Sequence, residues 1–176
     1  GAAKVWVFNE AMTGYHHTEP SNIKVSGVLS NVSVAVAEMA RRSPAIFGEN
    51  ANIVNVNVVS AVGNDEAGQK IKSTLAARGV DTEYLQLVDG AHTASYEIRP
   101  EGTLPRFEYY GTRDAAAVRQ LFANGPLNLP IKKGDVVVFD SIALSRPRLN
   151  ELATLISPSS SNSRLTGTTA CGVAGQ

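Results

Sequence analysis

The sequence predicts an α/β protein: a doubly wound sheet with right-handed crossovers, and a small second sheet standing off it. Three observations carry this expectation. Residues 58–85, VVSAVGNDEAGQKIKSTLAARGVDTEYL, read as strand, turn, helix, turn and strand in succession. The segment DVVVF at 135–139 holds an unbroken apolar run, the pattern of a parallel strand buried on both faces. Between these lie two aromatic and β-branched runs, 93–99 and 106–110, joined by the Pro/Gly turn PEGTLP. Their alternation reads as a hairpin outside the main sheet. Strands alternating with helices give a parallel sheet, and the hairpin interrupts that alternation.

Taken in order, KVWVF at 4–8 is a first buried strand, and 10–20 is irregular, with Gly14, His16, His17 and Pro20. Residues 28–42 follow a helical period in which Val28, Val32, Val36, Met39 and Ala40 cover one side, and Ser43-Pro44 ends it. Residues 53–59 read as a strand with Val54, Val56 and Val58 on an apolar face and Asn55 and Asn57 on a partly polar one. Asn64 or Asp65 then caps a helix whose apolar stripe is Ala67, Ile71 and Leu75, with Asp65 and Glu66 at the positive end of its dipole. Gly79 ends that helix in the left-handed conformation. A short helix at 114–122, the strand at 135–139 and a helix at 148–156 complete the pattern. From Ser157 onward, SPSSSNSRLTGTTACGVAGQ is of low complexity, the composition of a disordered tail.

The 176 residues suit one domain or a large part of a bigger one, and 43% hydrophobic content supplies a substantial core. Sixteen basic and sixteen acidic residues cancel, without runs of like charge, so nothing points to nucleic acid or an anionic membrane. Cys171 is the single cysteine, which leaves no disulfide framework or cysteine zinc site within one chain, and in the tail it has no partner to activate it. No apolar run is long enough to span a bilayer and no signal pattern opens the sequence, so the cytoplasm is the default compartment. Asn31-Val32-Ser33 is a glycosylation sequon read as accidental in that setting.

Open α/β sheets bind ligands beyond the carboxyl ends of their strands. Residues after Phe8, the start of the 28–42 helix and Asp140-Ser141 would meet there. Asn31 is an amide among Val28, Leu29, Val32 and Val34, just after Ser26-Gly27. Either Asn31 and the Gly27 backbone hold the hydroxyls of a small polyol, or Asn31 caps the helix or bonds a nearby loop. Tyr96, Tyr109, Tyr110 and Arg113 form a second group, suited to a lid over a sugar with a guanidinium for a carboxylate, or to ordinary hairpin packing with a surface arginine. His16, His17 and His92 lack a third ligand at metal spacing and read as loop histidines. Gly63-x4-Gly68 followed by Gln69-Lys70 resembles a phosphate loop, but the lysine is one place late and Asp65 and Glu66 would repel phosphate. That segment reads as a capped helix.

Beyond these local readings, residues 5–156 resemble the ribokinase-like (PfkB) carbohydrate kinases. Phe8-Asn9-Glu10-Ala11-Met12 is similar to the family's opening G-E-x-M/L element, and Ser26–Ala35 to its G-G-x-x-x-N-x-(A/S)-x-x element. Val62–Gly68 and Gly79-Val80-Asp81-Thr82 match its most regular segment. Phe107-Glu108-Tyr109-Tyr110 with Arg113–Ala117 resembles the Y-Y-x-R-x-x-A-A pattern of 2-keto-3-deoxygluconate kinases, and Val138–Leu144 the strand ending in S-G-I-S-L. The resemblance implies the N-terminal part, over 1–156, of a ribokinase-like α/β domain, with lid strands within 11–25 and 92–111 and a homodimer contact through the lid. It implies ATP-dependent phosphorylation of a sugar or sugar acid, 2-keto-3-deoxygluconate-like or fructose-like, with magnesium. Carried onto matching positions, Gly27 and Asn31 contact substrate hydroxyls, Tyr96 and Tyr109 close over the sugar, and Arg113 pairs with a carboxylate.

Departures from the pattern are local and large-scale. Ser26 stands for the first glycine of the pair, Asn9 for the glycine before Glu10, and Gly14 where many members place an acidic sugar contact. The family's nucleotide site, its G-A-G-D anion hole and its catalytic aspartate belong to a later half with no counterpart before Gln176. A chain without those parts is expected to be inert in phosphoryl transfer. The alternatives are a kinase portion or truncated product, and a non-catalytic sugar-binding or dimerisation module. Fructose, ribose, a nucleoside and a keto-deoxy acid all stay open as acceptors.

Overall fold

The computed structural model describes residues 4–42, 55–110 and 129–139. Two four-stranded sheets organise them. The main sheet contains β1 (Lys4–Phe8), β4 (Asn55–Gly63), β5 (Leu85–Val88) and β8 (Val136–Phe139), in the order β5-β4-β1-β8 with every pair parallel. The second sheet contains β2 (Met12–His16), β3 (Lys24–Ser26), β6 (Ser95–Glu101) and β7 (Leu104–Tyr110), in the order β3-β2-β6-β7. Helix α1 (Val28–Arg42) connects the second sheet to β4, and α2 (Glu66–Ala77) connects β4 to β5.

Side-chain alternation along the main strands decides the layers. Val5 and Val7 of β1, Val56 and Val58 of β4, and Val138 of β8 point to one face, where Leu29, Ala37, Ile71 and Leu75 from the helices close the core. On the opposite face Trp6 is fully buried and meets the Tyr84 ring at 5.3 Å. Asp135 anchors the start of β1, accepting hydrogen bonds from the Lys4 backbone at 2.9 Å, Trp6 Nε1 at 3.0 Å and the Lys132 backbone at 2.9 Å.

Several expectations need correction. The strand read as 53–59 runs on to Gly63, because Ser60–Gly63 pair with Leu85–Val88. On the partly polar face Asn55 is exposed and Asn57 is buried, in register between Trp6 and Asp81. Residues 12–16, irregular by local pattern but within the 11–25 span the resemblance gives to lid strands, form β2, held between β3 and β6. The PEGTLP turn is tighter than its composition indicates. Pro100 pairs with Pro105 and Glu101 with Leu104, leaving Gly102-Thr103 to turn with Gly102 at φ 60°. Among the described residues, the apolar run of 135–139 is only partly covered. β8 closes one end of the strand order, and Val136 is half exposed. The expected helices at 114–122 and 148–156, and the tail from 157, lie outside the described residues.

Candidate active site at the switch point of the main sheet

The strand order creates the site. From β1 the chain moves through β4 to β5 on one side, then places β8 on the other side of β1. The sheet therefore has its switch point beside β1, and open α/β sheets take ligands at the carboxyl ends of the strands there, here those of β1 and β8. The first residues past β1 are Asn9 and Glu10, both buried. The Asn9 backbone is tied to β4 from both sides: its N–H donates to the Val59 carbonyl at 3.2 Å, and its carbonyl accepts from Ser60 Oγ at 2.7 Å. Its side-chain Nδ2 donates to Ser30 Oγ in the first turn of α1 at 2.5 Å. Asn9 Oδ1 is buried with no hydrogen-bond partner among the described residues.

Gly27 brings α1 to that point. Its φ of 107° belongs to glycine, and an added Cβ would lie 2.5 Å from the Glu10 carbonyl oxygen and 3.3 Å from Asn9 Oδ1. The Gly27 carbonyl accepts the Asn31 N–H at 3.3 Å, which makes Gly27 the residue at the helix cap. Glycine has no side chain to satisfy the first N–H groups, and the first turn holds no acidic residue. The start of α1 thus brings backbone N–H groups to the switch point, where neither Gly27 nor an acid of the first turn offers them a side chain. Asn31 is exposed in that first turn, so neither a buried amide nor a capping position describes it.

The second sheet stands over this region with two different faces. Tyr96 is opposite Gly14 on β2 and Tyr109 on β7, and its ring meets Phe107 at 5.6 Å and Tyr109 at 6.1 Å. Its hydroxyl shares a 2.5 Å hydrogen bond with Ser26 Oγ, the residue before Gly27. Gly14 is glycine because the Tyr96 ring lies on it; an added Cβ would sit 2.6 Å from the Tyr96 hydroxyl oxygen, closer than real Cβ contacts allow. The absence of an acid at position 14 therefore has a packing cause in this chain.

The opposite face is ionic. Glu97 is buried and receives His17 Nδ1 at 2.6 Å, Arg99 Nη2 at 3.1 Å and the Tyr110 hydroxyl at 3.0 Å. Glu108 accepts from Tyr110 at 2.8 Å and faces Arg99 Nε at 3.3 Å. These hydrogen bonds, that of His17 first, hold the Glu97 carboxyl below its ordinary range, and the two glutamates push the Tyr110 phenol up to about 12. Tyr110 thus belongs to the ion-paired face and not to the face of Tyr96 and Tyr109. An open groove of about 350 Å³ at the hairpin tip is lined by His16, Ile98, Pro100 and Leu104, and reaches none of Gly27, Asn31, Tyr96 or Tyr109.

Sequence comparison decides the family. Residues 17–164 match the pfkB family carbohydrate kinases. The chain belongs to that family. Its fold agrees: the structure is similar to fructokinase from Vibrio cholerae O395 in its fructose-, ADP- and calcium-bound form, with a TM-score of 0.59 at 21% identity over 86% of this chain and 46% of that one. It is similar to aminoimidazole riboside kinase from Salmonella enterica with a TM-score of 0.58 at 20% identity, covering 84% and 43% of the two chains. An uncharacterized sugar kinase from Pyrococcus horikoshii gives a TM-score of 0.56 at 20% identity, covering 86% and 47%. The chain thus spans somewhat under half the length of each of these three kinases. No curated protein matches the sequence.

Members of the pfkB family are phosphotransferases, and the parallel sheet with its second sheet is the ribokinase-like α/β fold in partial form. Of the residues singled out in the sequence, the fold brings Gly27, Asn31 and Tyr96 to one end of the sheet through the Tyr96–Ser26 bond, with Tyr109 beside Tyr96. Arg113, Asp140, Ser141 and Cys171 lie outside the described residues. Asn9 and Ser26, noted in the sequence as departures from the family pattern, and Ser30, not singled out there, join this group through the Asn9–Ser30 and Ser26–Tyr96 bonds. Asn9 replacing a family glycine was the available signal, since a polar side chain at such a position must find partners in the core.

Proposed function

We propose that this chain carries the sugar-binding part of an ATP-dependent carbohydrate kinase. Gly27 and Asn31 hold substrate hydroxyls, Tyr96 and Tyr109 cover the sugar, and Arg113 pairs with a carboxylate. The observation that carries this reading is the start of α1 at the switch point, entered through Gly27 without an acid in its first turn and joined to the aromatic lid by the Tyr96–Ser26 bond. Backbone N–H groups and an exposed amide are the donors and acceptors a polyol needs. Aromatic rings supply an apolar cover that removes water from it. The acceptor is a 2-keto-3-deoxygluconate-like sugar acid or a fructose-like sugar, and the partner is a second copy of the chain joined through the lid. The exposed Phe107, Tyr109 and Leu104 give that contact its apolar surface.

ATP and magnesium are the cofactors that the family resemblance implies. Among the described residues no three His, Cys, Asp or Glu side chains gather to hold a metal. The Gly63–Gly68 turn, which resembles a phosphate loop, is occupied by its own carboxylate: Asp65 Oδ1 accepts the Gly68 N–H at 2.8 Å. No transfer step is therefore drawn through these residues. Their part is to bind the acceptor, orient its hydroxyl and exclude water.

Calorimetric titration of the product of the full reading frame with fructose, ribose and 2-keto-3-deoxygluconate, each with and without ATP, tests the proposal. Saturable binding of one of these sugars is expected, weakened by Asn31→Ala. A folded protein that binds none of them ends the reading.

A further inference from the structure

Asp65 does more than cap a helix. A cap needs one side-chain oxygen for one free N–H, and Asp65 Oδ1 meets that need at Gly68. The same carboxylate also takes both donors of a distant residue. Thr93 Oγ1 donates to Oδ1 at 2.6 Å and the Thr93 backbone N–H donates to Oδ2 at 2.8 Å. Thr93 is buried and lies two residues before β6, the strand that carries Tyr96. The two glycines of this turn complete the fit. A Cβ on Gly63 would lie 2.8 Å from the Thr93 nitrogen, and one on Gly68 would strike the Gly63 carbonyl. The segment entering the lid is thus pressed flush against the β4–α2 turn.

A second contact joins the same helix to the other end of the lid sheet. Lys70 Nζ donates to the Ile23 carbonyl, just before β3, at 3.0 Å. The Thr13 N–H of β2 donates to the Ala94 carbonyl at 3.1 Å, beside Thr93. We infer that the Asp65–Thr93 pair is a clamp that sets the pose of the lid, so that Asp65 is a positioning residue for Tyr96 over the start of α1. The consequence for sugar binding rests on the function proposed above; the clamp itself does not.

Two variants separate clamp from cap. Asp65→Ser keeps a cap oxygen for Gly68 but is too short to hold both Thr93 donors. Thr93→Val removes the hydroxyl donor and leaves the cap intact. Hydrogen exchange followed by mass spectrometry on the full-length protein reads the result. In both variants the amides of β6 and β7 should exchange about tenfold faster, the size expected for losing a charge-assisted hydrogen bond. In Thr93→Val the amides of α2 should keep their wild-type rates. The double variant should be no looser than Asp65→Ser alone, because both changes break one unit. Thr93→Ser, which restores the hydroxyl, should return lid exchange to wild type and controls for misfolding. Unchanged β6–β7 exchange in Thr93→Val, or failure of Thr93→Ser to rescue it, overturns the clamp. Fructose and 2-keto-3-deoxygluconate titrations keep the two ideas apart. If the lid loosens as expected and the affinity of whichever sugar binds stays unchanged, the clamp stands and the lid's role in sugar binding fails.

Discussion

The two helices begin in opposite ways. α2 starts at Asp65, whose carboxylate satisfies the Gly68 N–H, with Glu66 in the first turn. α1 starts at Gly27, which has no side chain to offer, and its first turn has no acid. Both starts sit at the carboxyl end of a main-sheet strand or just beyond it. The difference teaches where the protein keeps binding capacity. A helix start closed by its own carboxylate is architecture, here used to fix the approach to the lid. A helix start entered through glycine, without an acid in its first turn, is the one the function proposed above assigns to a ligand.

Glycine substitution probes this contrast most forcefully. Gly27→Ala places a Cβ 2.5 Å from the Glu10 carbonyl oxygen at a φ of 107°. Strain and overpacking together should cost roughly 2–6 kcal/mol, enough to threaten folding. Gly68→Ala meets the Gly63 carbonyl without a positive φ, and should cost about 1–3 kcal/mol. Gly79→Ala is the reference: its φ is 83°, but no atom lies within 4 Å of the added Cβ. Only backbone strain remains there, about 1 kcal/mol. Urea denaturation orders the three. If Gly27→Ala is no worse than Gly79→Ala, α1 is not seated on Glu10 as described.

An acid titration gives the next effect in size and distinguishes the two starts by charge. Burial pushes the Asp65 carboxyl up, but hydrogen bonds from the Thr93 side chain, the Thr93 backbone and the Gly68 backbone outweigh it and hold the group below its ordinary 3.8. A depressed carboxyl contributes stability that is complete above its unfolded pKa and disappears as pH falls through the folded value. Asparagine keeps a capping oxygen, so Asp65→Asn should cost about 1 kcal/mol at neutral pH through the lost charge in the bonds from Gly68 and Thr93 and not through the cap. That difference should begin to shrink as pH falls past the unfolded carboxyl's value, about 3.9, and fade as the folded carboxyl, held lower, takes up its proton. Asp135 is depressed in the same direction by the Lys132 and Lys4 backbones and Trp6, against burial, so the comparison must be mutant against wild type at each pH. A pH-independent difference would mean that Asp65 acts through shape and not charge.

Much of this architecture was legible in the residues, and the reasons for the gaps are physical. The β4–α2–β5 unit could be read because its signals are local: an acidic cap, a 3.6-residue stripe and a stop glycine. β2 could not, because Met12–His16 is held by partners such as Ser95 and Ile98, about eighty residues away in sequence, and β pairing follows such partners more than propensity. The buried position of Asn57 was hidden for the same reason: alternation shows which residues share a face, not whether another layer covers it. At the site, Gly27 and Tyr96 stood out by type. Asn9 did not, because its importance lies in a hydrogen bond to Ser30, twenty-one residues on. The split of Tyr96 and Tyr110 onto opposite faces follows from their register, which composition cannot supply.

The smallest effect on stability belongs to Asn31, and it bears most directly on the open helix start. Asn31 is exposed in the first turn of α1, and alanine is the better helix former. Asn31→Ala should therefore change the unfolding free energy by less than about 0.5 kcal/mol, with no pH dependence, in contrast to Asp65→Asn. Its effect on sugar affinity should be much larger, about tenfold or more, because a site built to bond a hydroxyl loses a partner it cannot replace. Paired denaturation and titration on the same preparation measure both numbers. A variant that loses stability while binding sugar normally would make Asn31 a structural residue after all, and would leave the Gly27 backbone alone as the open end of the helix.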